Sequence, residues 1–219
     1  MICIVVALNS EAKSFLEIIE NKTLSQVANK PLYLGKVDGE DIALAISGVG
    51  KVNAGLTTQA LIDKFNPKCV INFGTAGGMN DSVDIMGYYL VEKCCQYDFD
   101  LSTLDPVPVG YIQDYDGIYF NCSVTDKIDL PRANVSSGDR FNNDEKDIKL
   151  INDLGCALRD MEGGAIGQVC TQNNIPLYMI KGVSDVVGKG TAEEQFIKNL
   201  HAVSDGFNEV IKKVINQIK

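Results

Sequence analysis

Short, wholly apolar runs alternate along this chain with longer stretches in which apolar residues recur every three or four positions. Ile2 to Leu8 is the first run, and its lack of polar alternation predicts a strand buried on both faces. Asn9 or Ser10 then supplies a helix N-cap, with Glu11 in the first turn and Phe15, Ile18 and Ile19 on the inner face. Leu32–Leu34 and Ile42–Ile46 predict strands joined by a turn at Asp38-Gly39. Gly48-Val49-Gly50 breaks the pattern before a helix over about Val52–Phe65, which Pro67 ends. Cys69–Phe73 reads as a strand running into Gly74-Thr75-Ala76-Gly77-Gly78, and Tyr88–Val91 begins another.

Between Cys95 and Asp129 the helical periodicity disappears, and Pro106, Pro108 and Gly110 punctuate a loop-rich region with one hairpin around Tyr115–Phe120. Asn134–Ser136 and Cys156–Leu158 read as strands, and a helical stretch opens at Asp160 and runs through Cys170. Pro176–Ile180 is a buried strand that continues into Val183-Ser184-Asp185, and the last helix covers about Glu193–Ile218. Strand and helix patterns alternate throughout, which predicts an α/β fold with a mostly parallel sheet and helices on both faces. No repeat, low-complexity tract or linker divides the chain, so residues 1–219 read as one domain.

Composition narrows the classes of function. Among 219 residues, 45% are hydrophobic and 22% charged, enough for a substantial core. A net charge of −9 argues against a broad phosphate-binding face, and hence against a nucleic-acid partner. The seven cysteines are odd in number and lack C-x-x-C spacing; Cys3, Cys69 and Cys156 lie in apolar runs, where a reduced thiol acts as a small hydrophobe. With His201 the single histidine, a structural zinc site is disfavoured. The chain opens without a basic stretch and has no apolar run near ~20 residues, so the expectation is a cytoplasmic protein with no membrane partner.

The chemistry lies in strand-end loops and three carboxylates. Ser47-Gly48-Val49-Gly50, Gly74-Thr75-Ala76-Gly77-Gly78 and Ser136-Ser137-Gly138-Asp139 each follow an apolar strand, and their small residues let backbone N–H groups approach a ligand. Taken singly, each such loop is more often just a tight strand-to-helix turn. Gly50-Lys51 does not complete a Walker A loop, because Ala45 and Val52 stand where its first glycine and its Ser/Thr belong. Glu11 and Glu162 each open a helical stretch, and Asp185 ends a strand. Taken singly, the two glutamates could complement helix dipoles and Asp185 could cap a turn. Together they fall on the carboxyl edge of the expected sheet, where α/β proteins bind ligands. Paired carboxylates about a scissile bond suit acid-assisted cleavage.

In order, Ala7-Leu8-Asn9-Ser10-Glu11-Ala12, Ser47 to Ala54, Asn72 to Gly78, Val135 to Asp139, Asp160-Met161-Glu162-Gly163 and Val183-Ser184-Asp185 resemble the 5'-methylthioadenosine/S-adenosylhomocysteine nucleosidase branch of the nucleoside phosphorylase superfamily. The resemblance spans nearly the whole chain. It implies a three-layer α/β/α homodimer that hydrolyses the N-glycosidic bond of an adenine nucleoside, without metal or cofactor. On this resemblance Asp185 corresponds to the acid that protonates N7 of the leaving adenine, with Ser184 holding it. Glu162 corresponds to the carboxylate that binds ribose hydroxyls, Met161 to the residue under the sugar, and Glu11 to the base that positions water. Thr75 replaces a serine near that water and keeps the hydroxyl, with Ala76 and Gly77 beside it in the substrate loop. Phe141 corresponds to the aromatic stacked on adenine, and the backbone of Asn142 would address the base edge. The chain departs from the family pattern at Leu8 (methionine), Arg140 (a small residue), Asp160 (glutamate) and Lys181 (often arginine).

The chemistry leaves alternatives open. Protonating a poor leaving base is typically worth ~10²–10⁴-fold, and anionic groups stabilise an oxocarbenium-like sugar. Phosphorylases of the superfamily hold phosphate with arginines from early loops, whereas here Arg132, Arg140 and Arg159 are the only arginines and the first two loops carry just Lys13 and Lys51. That favours water over phosphate. A phosphorolytic enzyme, a hydrolase of another purine nucleoside such as futalosine, and a non-catalytic nucleoside-binding protein are the other readings.

Overall fold

The computed structural model describes residues 1–115 and 117–218. The first strand, β1 (Ile2–Val6), is buried at every position and shows why the apolar run has no alternation. Cys3 and Val5 join one core, while Ile2, Ile4 and Val6 join another on the opposite face. Helices α1 (Asn9–Glu17) and α5 (Ala192–Gln217) pack together over the second core, and α2 (Lys51–Phe65) and α4 (Gly163–Gln172) over the first. The expected three layers are thus present.

The sheet is mixed. β1 pairs in parallel with β4 (Glu40–Ile46) and β5 (Cys69–Gly78), and β5 with β10 (Leu177–Val186). On one side the sheet continues antiparallel through β3 (Lys30–Val37) to β2 (Glu20–Val27). On the other, β10 meets β6 (Tyr88–Gln96) antiparallel, β6 and β8 (Arg132–Ser137) are parallel, and β9 (Leu158–Asp160) joins β8 in parallel and β5 antiparallel. These last pairings close a ring, β5–β10–β6–β8–β9–β5. A short β7 (Phe120–Asn121) flanks β6.

Several elements differ from expectation for identifiable reasons. β2 has no apolar run, because it is a largely exposed edge strand held by its hairpin with β3. β5 extends five residues past Phe73, since β10 pairs with it along the whole stretch and β9 joins at Gly77 and Gly78. A helix, α3 (Glu145–Asp153), arises in a polar segment capped by Asp144, whose side chain accepts from Lys146 N–H at 2.8 Å. In the region of the expected hairpin, Ile112 and Gly117 form a single bridge; residue 116 lies outside the described residues. No helix among the described residues is long and apolar enough to cross a membrane.

Candidate active site

Residues from seven parts of the chain converge on one cavity of about 430 Å³. That volume lies within the ~300–1,000 Å³ of small-molecule sites. Of the residues singled out from sequence, Glu11, Thr75, Ala76, Gly77, Phe141, Met161, Glu162, Ser184 and Asp185 line it. Asn142 does not; its side chain instead accepts from Arg159 (3.2 Å) and donates to Asp147 (3.2 Å).

Glu11 is buried and its two oxygens are spoken for. One accepts from the backbone N–H and the hydroxyl of Thr75, each at 2.8 Å, and the other from Leu8 N–H at 3.0 Å. Leu8, rather than Asn9 or Ser10, occupies the cap position of α1, and the Glu11 carboxylate satisfies its N–H. The dipole-complementing reading of Glu11 and its place at the cavity therefore coexist in one side chain.

Glu162 arrives differently. The Asp160-to-Cys170 stretch does not start as helix: Asp160 belongs to β9, and α4 begins at Gly163 with Glu162 in the cap position. Nor does Glu162 leave a strand parallel to β5. Instead β9 starts opposite Gly78 and runs back along β5, carrying the next residues into the cavity from the opposite sense. Its carboxylate makes no cap bond to its own helix and accepts from Gly50 N–H at 2.9 Å, across 112 positions of sequence. Gly50 has φ +99°, a conformation that side chains other than glycine rarely adopt, so this donor depends on the glycine.

Beneath Glu162 lies a buried ion pair that sequence reading noted only as two departures. Lys181 Nζ sits 2.7 Å from Asp160 Oδ2, and neither side chain is more than 1% exposed. Asp160 also accepts from Gly163 N–H at 2.8 Å and from the Ser137 hydroxyl. Burial and then the adjacent Asp160 charge push the Glu162 carboxyl up to about 7, against the pull of Lys181 and the Gly50 N–H. Burial alone would lower the Lys181 ammonium, but Asp160 and Glu162 outweigh it and hold the group above its ordinary value.

Asp185 and Ser184 are consecutive yet both reach the cavity, because the β5–β10 register shifts between Val183 and Asp185. A bulge re-aims side chains in this way. The Ser184 hydroxyl donates to Asp185 Oδ1 at 2.7 Å. Burial raises the Asp185 carboxyl above its usual range, opposed by that hydroxyl and by the Arg159 charge. A carboxyl so placed keeps its proton more readily.

Of the other lining residues, Ala7 and Val49 enter the sequence reading only as members of strand-end motifs, Arg159 only as one of three arginines, and Phe196 carries no sequence signal. Phe196 stands on α5 and meets Phe141 edge-on, ring centroids 5.5 Å apart, at a rim where Phe141 is 52% exposed. Lys51 is committed elsewhere, its ammonium paired with Asp98.

A family profile described as the phosphorylase superfamily matches residues 1–216. A 5'-methylthioadenosine/S-adenosylhomocysteine nucleosidase of Buchnera aphidicola is 31% identical over 227 residues, covering 98% of this chain and 97% of that protein. A protein of the same description from Bacillus subtilis is 28% identical, covering 99% of each chain. Among solved structures, the Colwellia psychrerythraea nucleosidase in complex with adenine has a TM-score of 0.88 at 25% identity, over 99% of this chain and 94% of that one. A Helicobacter pylori protein described as futalosine hydrolase shares the fold, with a TM-score of 0.90 at 22% identity over 99% and 98% of the two chains. The chain belongs to the phosphorylase superfamily and, within it, to the family of 5'-methylthioadenosine/S-adenosylhomocysteine nucleosidases.

Proposed function

We propose that this protein hydrolyses the N-glycosidic bond of purine nucleosides, with 5'-methylthioadenosine and S-adenosylhomocysteine as substrates and adenine as the released base. The observation that carries the reading is the convergence of three differently held carboxylates, Glu11, Glu162 and Asp185, on one cavity. In the proposed step the C1'–N9 bond breaks and its electron pair leaves with the purine, while Asp185 transfers its proton to N7. Water adds to C1' and gives up a proton to Glu11, aided by Thr75. Glu162 holds the ribose hydroxyls and, as the anion, stabilises the positive charge that develops on the sugar. Phe141 stacks on the base and Met161 lies under the sugar.

Water is favoured as the nucleophile because Lys51, one of the two early-loop cations, is tied to Asp98 and neither it nor Lys13 lines the cavity. Arg140 and Arg159, which do line the cavity, come from β9 and from the loop after β8 rather than from the early loops. The exposed apolar residues Val49, Val52 and Leu56, at and beyond the start of α2, support pairing of two copies of the chain. The seven unpaired, buried cysteines support a cytoplasmic location.

Release of adenine from a nucleoside panel, with and without phosphate, tests the reading. Phosphate-independent release with free thio-ribose as the second product is expected. Strict dependence on phosphate, yielding the sugar 1-phosphate, would refute hydrolysis, and tight binding without turnover would make the protein a binder.

A further inference from the structure

The Glu162 carboxylate is anchored outside its own helix. Among the described residues it has one hydrogen bond, to the Gly50 N–H at 2.9 Å. Gly48 and Gly50 both have positive φ and Val49 between them is 43% exposed, so the segment offering this donor is neither buried nor regular. Gly50 occupies the cap position of α2 and has no side chain to bond there. The first N–H groups of that helix must therefore find partners elsewhere.

Three charged residues outside the cavity fix this end of the helix. The Lys51 N–H, next after that of Gly50, donates to Asp139 Oδ1 at 2.9 Å. The Asp139 N–H donates to Asp98 Oδ2 at 2.9 Å, and Asp98 Oδ1 accepts from the Lys51 ammonium. These contacts close a ring through the start of α2, the loop after β8 and the segment after β6. The Lys51 and Asp98 side chains are only 17% and 13% exposed, so their pair is less screened than a freely solvated one. Gly138 permits the close approach of the two loops, since a Cβ there would lie 2.5 Å from the Tyr97 ring. Lys51, Asp98 and Asp139 do not line the cavity, yet the ring ends one residue from the donor to Glu162.

We propose that Lys51, Asp98 and Asp139 are positioning residues for the glycosidase: their ring latches the first residue of α2 so that the Gly50 N–H aims the Glu162 carboxylate at the ribose hydroxyls. The inference rests on the reading of Glu162 as the sugar-binding carboxylate. A ring that merely capped α2 would secure the helix without bearing on the sugar. This one couples three segments to a single oxygen, Glu162 Oε1, and a group displaced by about 1 Å can cost ~10²-fold in rate. Four groups face Glu162: the Gly50 N–H and Lys181 of β10 favour its anion, whereas Asp160 of β9 and Glu11 of α1 oppose it. Releasing the latch removes the first of these, so the carboxyl then ionises only at higher pH.

The test uses Lys51→Met and Asp98→Ala, with Asp98→Asn in place of a variant that does not fold. Calorimetry measures two ligands on each: adenine, which has no sugar, and an analogue of 5'-methylthioadenosine whose C-glycosidic bond resists hydrolysis. A hydrogen bond to a charged group is worth about tenfold or more, so each variant should bind the analogue about tenfold more weakly and adenine within about twofold of wild type. In a Glu162→Gln background the same changes should add little, because the carboxylate they aim is gone. The acid limb of the turnover profile should move to higher pH in both variants. Charge deletion alone would move it in opposite directions, since one variant removes a cation and the other an anion. Equal weakening of adenine and analogue, full additivity with Glu162→Gln, or limbs that move oppositely or not at all overturns the latch and leaves the glycosidase reading intact. Wild-type turnover of no nucleoside overturns the glycosidase reading, and the analogue-to-adenine ratio then still decides whether the latch serves the sugar.

Discussion

The two walls of the cavity are built on opposite principles. One comes from the tips of β5, β9 and β10 and the first turn of α1, where Glu11, Asp160, Glu162 and Asp185 are all buried and each is tied to a fixed donor. The other comes from the loop after β8 and the start of α5, where Arg140 and Phe141 are exposed and the ring of Phe141 leans on Phe196. Strand tips paired on both sides hold charges to a fraction of an ångström, as bond cleavage requires. A half-exposed rim gives contact area and tolerates change. On the proposed mechanism, bond cleavage and the sugar fall to the paired wall and stacking on the base to the rim.

Breaking the paired wall should have the largest consequences. Asp185→Asn keeps the shape but removes the transferable proton, so kcat should fall by ~10²–10⁴-fold while binding of a non-hydrolysable analogue changes little. An unimpaired rate would remove Asp185 as the acid. Lys181→Met leaves Asp160 buried without its cation, and removing one partner of such a pair costs about 3–5 kcal/mol. Urea unfolding should register that loss as a lowered midpoint; a stability within 1 kcal/mol of wild type, on the order of an exposed pair, would mean the pair is not structural.

Acidity sharpens the same contrast without mutation. The Glu162 carboxyl is neutral below about 7 and ionised above it, and only the anion stabilises a cationic sugar. Turnover should therefore decline as pH falls through about 7, and Glu162→Gln should erase that limb of the profile along with much of the rate. A limb that persists unchanged in Glu162→Gln would belong to another group. The smallest effect is expected at the rim, where Phe141→Ala should raise KM by about fivefold, roughly 1 kcal/mol of stacking, and change kcat less. An equal loss in kcat and kcat/KM would place Phe141 in the chemical step.

Legibility followed the same division. The buried strands announced themselves, because a strand covered on both faces needs an unbroken apolar run, as in Ile2–Val6 and Cys69–Phe73. The edge strand Glu20–Val27 and the helix Glu145–Asp153 did not, since each is specified by a neighbour or a cap more than by its own apolar pattern. Glu11 and Asp185 could be read as strand-end acids. Glu162 could be read as an acid of the site but not as one delivered by a strand of opposite sense, since three residues of β9 carry too little pattern to give a direction. Arg159 was legible only as one of three arginines, and nothing local says that it faces Gly77.

By itself the sequence determined the alternation of strands and helices, the identity of the three acids, the small residues at strand ends and the scarcity of arginine, because these are local properties of composition and period. The tertiary structure alone decided that Gly50 donates to Glu162, that Lys181 neutralises Asp160 and that Asp185, Gly77 and Arg159 stand in one row. Those relations join residues far apart along the chain. They are fixed by strand register and ring closure, and a shift of one residue in either would turn these side chains away from the cavity.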